Sequence, residues 1–238
     1  MRYFMEFAYK GTAYHGSQVQ PNDLTVQSVM EGALATVMRR PVVLTFAGRT
    51  DAGVHAEMMV AHFDLDTEPM PVERLNRLLP SDIAVSRIYP VADNQHARFS
   101  ATSRTYEYRI TSRKSPFRYD TCTFVPSPLD MEVMNDAARL LLGTHDFASF
   151  CKVHTDVKTT ICTITEAQWR TNGYDAVFTI TADRFLRNMV RAVVGTLFDV
   201  GRHKLSAQDF GDIIAARSRQ VAGQSAPPQG LFLTAVRY

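Results

Sequence analysis

The chain has 238 residues, 45% of them hydrophobic, enough for one large or two small cores; its 26 basic and 24 acidic side chains leave a net charge of only +2. No run approaches the roughly 20 apolar residues of a membrane span. Arg2 and Glu6 interrupt the stretch where a signal peptide would lie. Cys122, Cys151 and Cys162 have no paired spacing, which predicts reduced thiols and a cytoplasmic protein.

In chain order, Tyr3, Met5, Phe7 and Tyr9 alternate as a strand with one buried face. Val26, Val29, Met30, Ala33 and Val37 follow helical spacing, with Gly32 tolerated inside. The apolar run 42–47 reads as a buried strand, and 58–65 as its return. Pro71 suits the first turn of a short helix that stops before Pro80, and 83–89 is the next strand. After a strand at 105–111, Asp130 is an N-cap for a helix to 142 that ends at Gly143. Strands 161–171 and 174–182 flank Asn172-Gly173, a strong hairpin signal. One long helix is predicted over 185–200, with Met189, Val190, Val193, Val194 and Leu197 inward and a stop at Gly201. Ser206 and Asp209 open a further helix in the manner of a capping box. Residues 220–229 read as loop and 231–238 as a closing strand. The order is that of an α+β chain in two similar halves without a sequence repeat.

Chemistry concentrates at Gly48-Arg49-Thr50-Asp51-Ala52-Gly53-Val54-His55-Ala56. An acid and a base share a small-residue loop directly after the 42–47 run, where Gly48 and Gly53 allow a tight path and close approach of a ligand. A surface turn whose Asp51 bonds nearby amides would read the same way. Charge is unevenly spread. Arg98, Arg104, Arg109, Arg113, Lys114 and Arg118 face only Glu107 over residues 98–118, interleaved with Phe99, Tyr106, Tyr108 and Phe117. Arg184, Arg187, Arg191, Arg202 and Lys204 form a second group against Asp199. Such stripes suit a phosphate backbone with exposed bases, or simply a solvated face over core aromatics.

The Asp51 nonapeptide resembles, over all nine positions, the active-site loop of the tRNA pseudouridine synthase A family. The likeness continues at 9–20 (Tyr9, Gly11, Tyr14, Gly16, Gln18, Gln20), at 98–108, at 143–150 and at 185–195. Ser17 departs from it, standing where many members carry tryptophan, which removes an aromatic platform. The resemblance implies an α+β fold of two similar domains, here 1–103 and 104–238. Each would be an antiparallel sheet with helices on one face, and together they would flank a central basic cleft. It implies isomerisation of uridine to pseudouridine in the tRNA anticodon arm, at positions 38, 39 and 40, by a homodimer without metal, nucleotide or other cofactor. Asp51 would be the nucleophile and Arg191 its ion-pair partner, with Arg187 one helical turn away on the same face. Tyr106 would stack on the flipped base and relay its proton, though strand spacing puts Tyr108 on the same face. Arg49, Arg104, Arg187 and Gln18 would contact RNA.

Other readings compete. A noncatalytic RNA-binding module would use the same basic surface without needing a carboxylate, and a paralogous synthase would act on another RNA. His145, Cys151, His154 and Cys162 could be drawn as a zinc site but lack the paired knuckle spacing. A Cys151 nucleophile with a His145 or His154 base has no local signature. His55 and His62 are expected to support the loop by hydrogen bonding rather than to catalyse.

Overall fold

The structure, a computed structural model, describes residues 1–152 and 158–238. Its strands are β1 (Arg2–Tyr9), β2 (Thr45–Phe46), β3 (His55–Asp64), β4 (Ile83–Val91), β5 (Ser103–Thr111), β6 (Thr123–Phe124), β7 (Gly143–Asp146), β8 (Ile161–Asn172), β9 (Asp175–Ala182) and β10 (Leu231–Arg237). Its α-helices are α1 (Val26–Met38), α2 (Val72–Asn76), α3 (Met131–Arg139), α4 (Met189–Gly201) and α5 (Ala207–Ala216). The chain divides into two compact units, Met1–Thr102 with Phe232–Tyr238, and Ser103–Leu231. No helix among the described residues is long and apolar enough to cross a membrane.

In the first unit β1 lies between β4 and β3, antiparallel to both, with Tyr3 opposite Phe63 and Met5 opposite Ala61. Tyr3, Phe4, Met5, Phe7 and Tyr9 are all buried, so the start of β1 is covered on both faces. Strand β10 joins β3 in parallel through Phe232 and Leu233, the exception to an otherwise antiparallel set. The strand predicted over 42–47 shrinks to β2, because Val42, Leu44 and Ala47 go into the core while only Thr45 and Phe46 pair with β3. Thr25 and Ser28 cap α1 reciprocally. Asn76, ending α2, clasps β4: its amide donates to the Val85 carbonyl and its carbonyl accepts the Val85 N–H, each at 2.8 Å.

The second unit orders its strands β5-β9-β8-β7, all antiparallel, with β6 parallel at the end of β5. The β8–β9 hairpin closes at the Asn172–Asp175 pair, so its two loop residues are Gly173 and Tyr174, one position beyond the predicted Asn-Gly. Asp130 caps α3 by accepting from the Glu132 and Val133 amides; the helix ends at Arg139, and Gly143 opens β7 rather than stopping a helix. Asn135 of α3 holds Trp169 of β8 through both its N–H and C=O, at 2.8 and 3.2 Å. That is the device Asn76 uses in the first unit, a likeness between the halves without sequence repetition.

Helix α4 is the core of this unit: among its 13 residues only Arg191 and Asp199 are not buried. A helix apolar all round belongs inside. It begins at Met189, four residues later than predicted, because Asn188 is left-handed at φ 65° and ends the approach from 185. Ser206 and Asp209 form the predicted capping box of α5.

Candidate active site

Asp51 follows β2 on a loop whose shape is set by the segment joining β1 to α1. Thr50, just before Asp51, is held by all three of its polar groups. Its N–H donates to Ser17 Oγ at 2.9 Å, its carbonyl accepts the Ser17 N–H at 3.2 Å, and its hydroxyl meets Tyr9 OH at 2.7 Å. The approach needs Gly16: at φ 96° it sits where a Cβ would lie 2.8 Å from the Thr50 oxygen. Beyond Asp51 the chain turns back, with the Val54 N–H donating to the Asp51 carbonyl at 3.2 Å and Gly53 at φ 77°. Gly48 has neither a positive φ nor crowding around it, so the tight path expected there is carried by Gly16 and Gly53 instead. Asp51 and Gln18 are half-buried and Arg49 is exposed.

His55, His62 and Tyr14 are each held by hydrogen bonds to other segments of this unit. His55 Nδ1 accepts the Gly11 N–H at 2.9 Å, and its ring stacks on Phe232. His62 Nδ1 accepts the Ala97 N–H at 3.2 Å, and burial, then Arg2, push its imidazole down to about 4. His55 thus supports the segment beside the loop, as the sequence predicts, whereas His62 supports the turn at Ala97 and not the Asp51 loop. Tyr14 donates to Asp82 at 2.7 Å, and burial raises its phenol above the usual range.

The second unit carries Tyr106, Arg104, Arg187 and Arg191. Tyr106 and Tyr108 do share the buried face of β5, but they differ. Tyr108 is fully buried, donates to the Pro227 carbonyl at 2.8 Å and shares a 2.7 Å hydrogen bond with Thr123, so it is core. Tyr106 stays 9% exposed, its ring edge-on to Phe185 at 5.1 Å. Arg104 donates to the Asp183 carbonyl at 2.9 Å, so the 183–187 segment runs beside the start of β5.

Arg187 is exposed on a turn before α4, not one helical turn from Arg191 on a shared face; the left-handed Asn188 separates them. Arg191, in the first turn of α4, is half-buried, and its Nε donates to the Ala226 carbonyl at 2.7 Å. The loop that supplies Ala226 is laced to α4: the Ala226 N–H returns to the Arg191 carbonyl, the Gly223 N–H donates to Thr196, and Asn188 donates to Ser225. The sequence predicts no more than a loop here.

Part of the predicted basic stripes is spent internally. Arg109 pairs with Glu107, Arg118 with Asp175, and Arg202 and Lys204 with Asp199. Of the drawn zinc set, His154 lies outside the described residues, and His145 Nε2 meets the Leu142 carbonyl at 2.8 Å. Among the described residues no group of three or more His, Cys, Asp or Glu side chains could hold a metal ion. The three cysteines are buried and not joined in disulfides, and burial pushes the Cys162 thiol up to about 12, away from nucleophilic use.

Residues 6–100 and 137–238 match the tRNA pseudouridine synthase family. A tRNA pseudouridine synthase A from Bacteroides fragilis is 54% identical over 242 residues, covering 100% of this chain and 96% of its own. One of the same name from Porphyromonas gingivalis is 52% identical, over 100% and 97%. Another, from Halalkalibacterium halodurans, is 42% identical over 96% and 89%. The chain belongs to the tRNA pseudouridine synthase family.

Proposed function

We propose that this isomerase converts uridine to pseudouridine in the anticodon stem-loop of tRNA, with Asp51 as nucleophile. The reaction breaks the bond from C1′ to N1, rotates the uracil and rejoins C1′ to C5; N1 gains a proton and C5 loses one. Atoms and electrons balance within the nucleotide, so side chains of this protein suffice. The observation that carries the reading is the Asp51 loop: a carboxylate half-open to a ligand on a backbone pinned immediately before it and turned back immediately after.

Attack at C1′, attack at C6 and assistance to a glycal route all use the ionised carboxylate. Arg191 is its proposed counter-ion, the role given by family resemblance, and a guanidinium there favours the charged form. Tyr106 is proposed to stack on the flipped uracil and relay the C5 proton. Arg49, Arg104, Arg187 and Gln18 are proposed RNA contacts, Arg49 entering the space the nucleotide leaves. Flipping costs a few kcal/mol and least where stacking is weak, as in a loop or at a helix end. That favours the anticodon arm, at positions 38, 39 and 40 by resemblance, bound by a homodimer in the cytoplasm.

The test is tritium release from tRNA labelled at uridine C5, with Asp51→Asn in parallel and the modified positions mapped afterwards. Wild-type release that the nearly isosteric variant abolishes, while still binding tRNA, is expected. Full release by Asp51→Asn removes the nucleophile assignment, and modification outside the anticodon arm removes the proposed target.

A further inference from the structure

We propose that Ser17, with Tyr9 behind it, is a positioning residue for the Asp51 carboxylate; the proposal rests on the role of Asp51 above. A nucleophile on a loop is useful only if its backbone does not drift, since a misplacement of about 1 Å can cost on the order of 100-fold in rate. Here the fixing is done at Thr50. Ser17 is 0% exposed, and its hydroxyl and amide together take both backbone groups of Thr50, at 2.9 and 3.2 Å. Tyr9 takes the remaining polar group, the Thr50 hydroxyl, at 2.7 Å.

Ser17 is itself anchored. The Gln27 N–H donates to its carbonyl at 3.0 Å and the Val26 N–H to the Gly16 carbonyl at 3.3 Å, tying the clasp to the first turn of α1. Force is thus carried from a capped helix, through Ser17, to the residue preceding the nucleophile. The hydroxyl is the part that side-chain chemistry can change. Alanine leaves the Thr50 N–H buried without its acceptor. Tryptophan, the residue many family members carry here, has an N–H donor only and cannot accept from Thr50. The departure at Ser17 therefore does more than lose an aromatic platform: it gives this chain a hydrogen-bonded clasp in its place.

The test measures single-turnover rate at saturating enzyme, tRNA Kd and thermal melting for wild type, Ser17→Ala, Tyr9→Phe and Asp51→Asn. For Ser17→Ala the expected result is a rate lower by about 10- to 100-fold with Kd within about twofold of wild type, because a wholly buried hydroxyl touches no RNA. Tyr9→Phe, which removes one atom, should show the same split with a smaller loss, and it decides the matter if Ser17→Ala does not fold. Wild-type rates in the folded variants overturn the proposal, as does a rate loss matched by an equal loss of affinity. Turnover by Asp51→Asn would instead overturn the nucleophile assignment, whatever the clasp variants do.

Discussion

Two glycines inside helices should respond to alanine with opposite signs. A Cβ on Gly195 of α4 would lie 1.8 Å from the Gln224 carbonyl oxygen and 3.1 Å from the Ala226 nitrogen. Ordinary contact begins near 3.4 Å, so one backbone must retreat by 3.4 − 1.8 = 1.6 Å, and neither is a flexible side-chain end. Such a retreat strains or breaks the bonds lacing the loop to α4, those of Ala226 with Arg191 and of Gly223 with Thr196. Three hydrogen bonds at about 0.5–1.5 kcal/mol each, plus about 1–3 kcal/mol of overpacking, outweigh the roughly 1 kcal/mol that alanine gains in helix propensity. The net loss is about 2–6 kcal/mol, a fall in Tm of at least about 4 °C for a chain of this size. Gly32 of α1, where a Cβ meets nothing within 4 Å, is the control: Gly32→Ala should raise Tm by a few degrees. Calorimetry on the two variants decides. If Gly195→Ala melts at or above wild type, the loop does not lie against α4 as described, and the support inferred for Arg191 falls with it.

His62 makes stability depend on pH. Its folded-state pKa is lowered to about 4, by burial first and Arg2 second, while the unfolded imidazole protonates near 6.5. The stabilisation is therefore present above about pH 6.5 and lost as pH falls toward 4, about 2 kcal/mol of it between pH 7.5 and 5. Urea unfolding of wild type should show this loss and His62→Asn, whose carbonyl can still accept the Ala97 N–H, should show a shallower one; parallel curves refute the account. Cys162, held up to about 12 chiefly by burial, should resist iodoacetamide at pH 8 in the folded chain and react once it is denatured. Rapid labelling of the folded protein, read by mass spectrometry, contradicts that burial.

What was legible in the sequence is what is local. Asp130 and Ser206 cap helices within three residues of themselves, and the Asp51 loop is one contiguous stretch. Periodicity failed where a single backbone angle intervened: the apolar pattern runs through 185–188, but Asn188 turns left-handed and the helix waits for Met189. The 42–47 run is apolar because it is buried, not because it pairs, so its apolar length exceeds the length of the strand. Ser17 registered only as a missing aromatic, since its use as an acceptor depends on Thr50, 33 positions away. The 220–229 stretch reads as loop and nothing more, because what binds it to α4 is largely backbone carbonyls and amides, which every residue carries.

The placement of Arg191 is the strongest physical hint beyond the motif itself. It stands in the first turn of α4, where the positive end of the helix dipole disfavours a cation by about 0.3–1 kcal/mol, and it is half-buried on a helix whose other polar side chains are Thr196 and Asp199. Its Nε donates to the Ala226 carbonyl, whose partial negative charge favours the cation. For packing alone, leucine or methionine would fill this position without either penalty. An arginine retained against both is a local rule broken, and such breaks concentrate where function requires them. A helix N-terminus and a guanidinium are unfavourable to each other but add together toward an anion. An anion of any kind, carboxylate or phosphate, gains from both, and a neutral ligand does not.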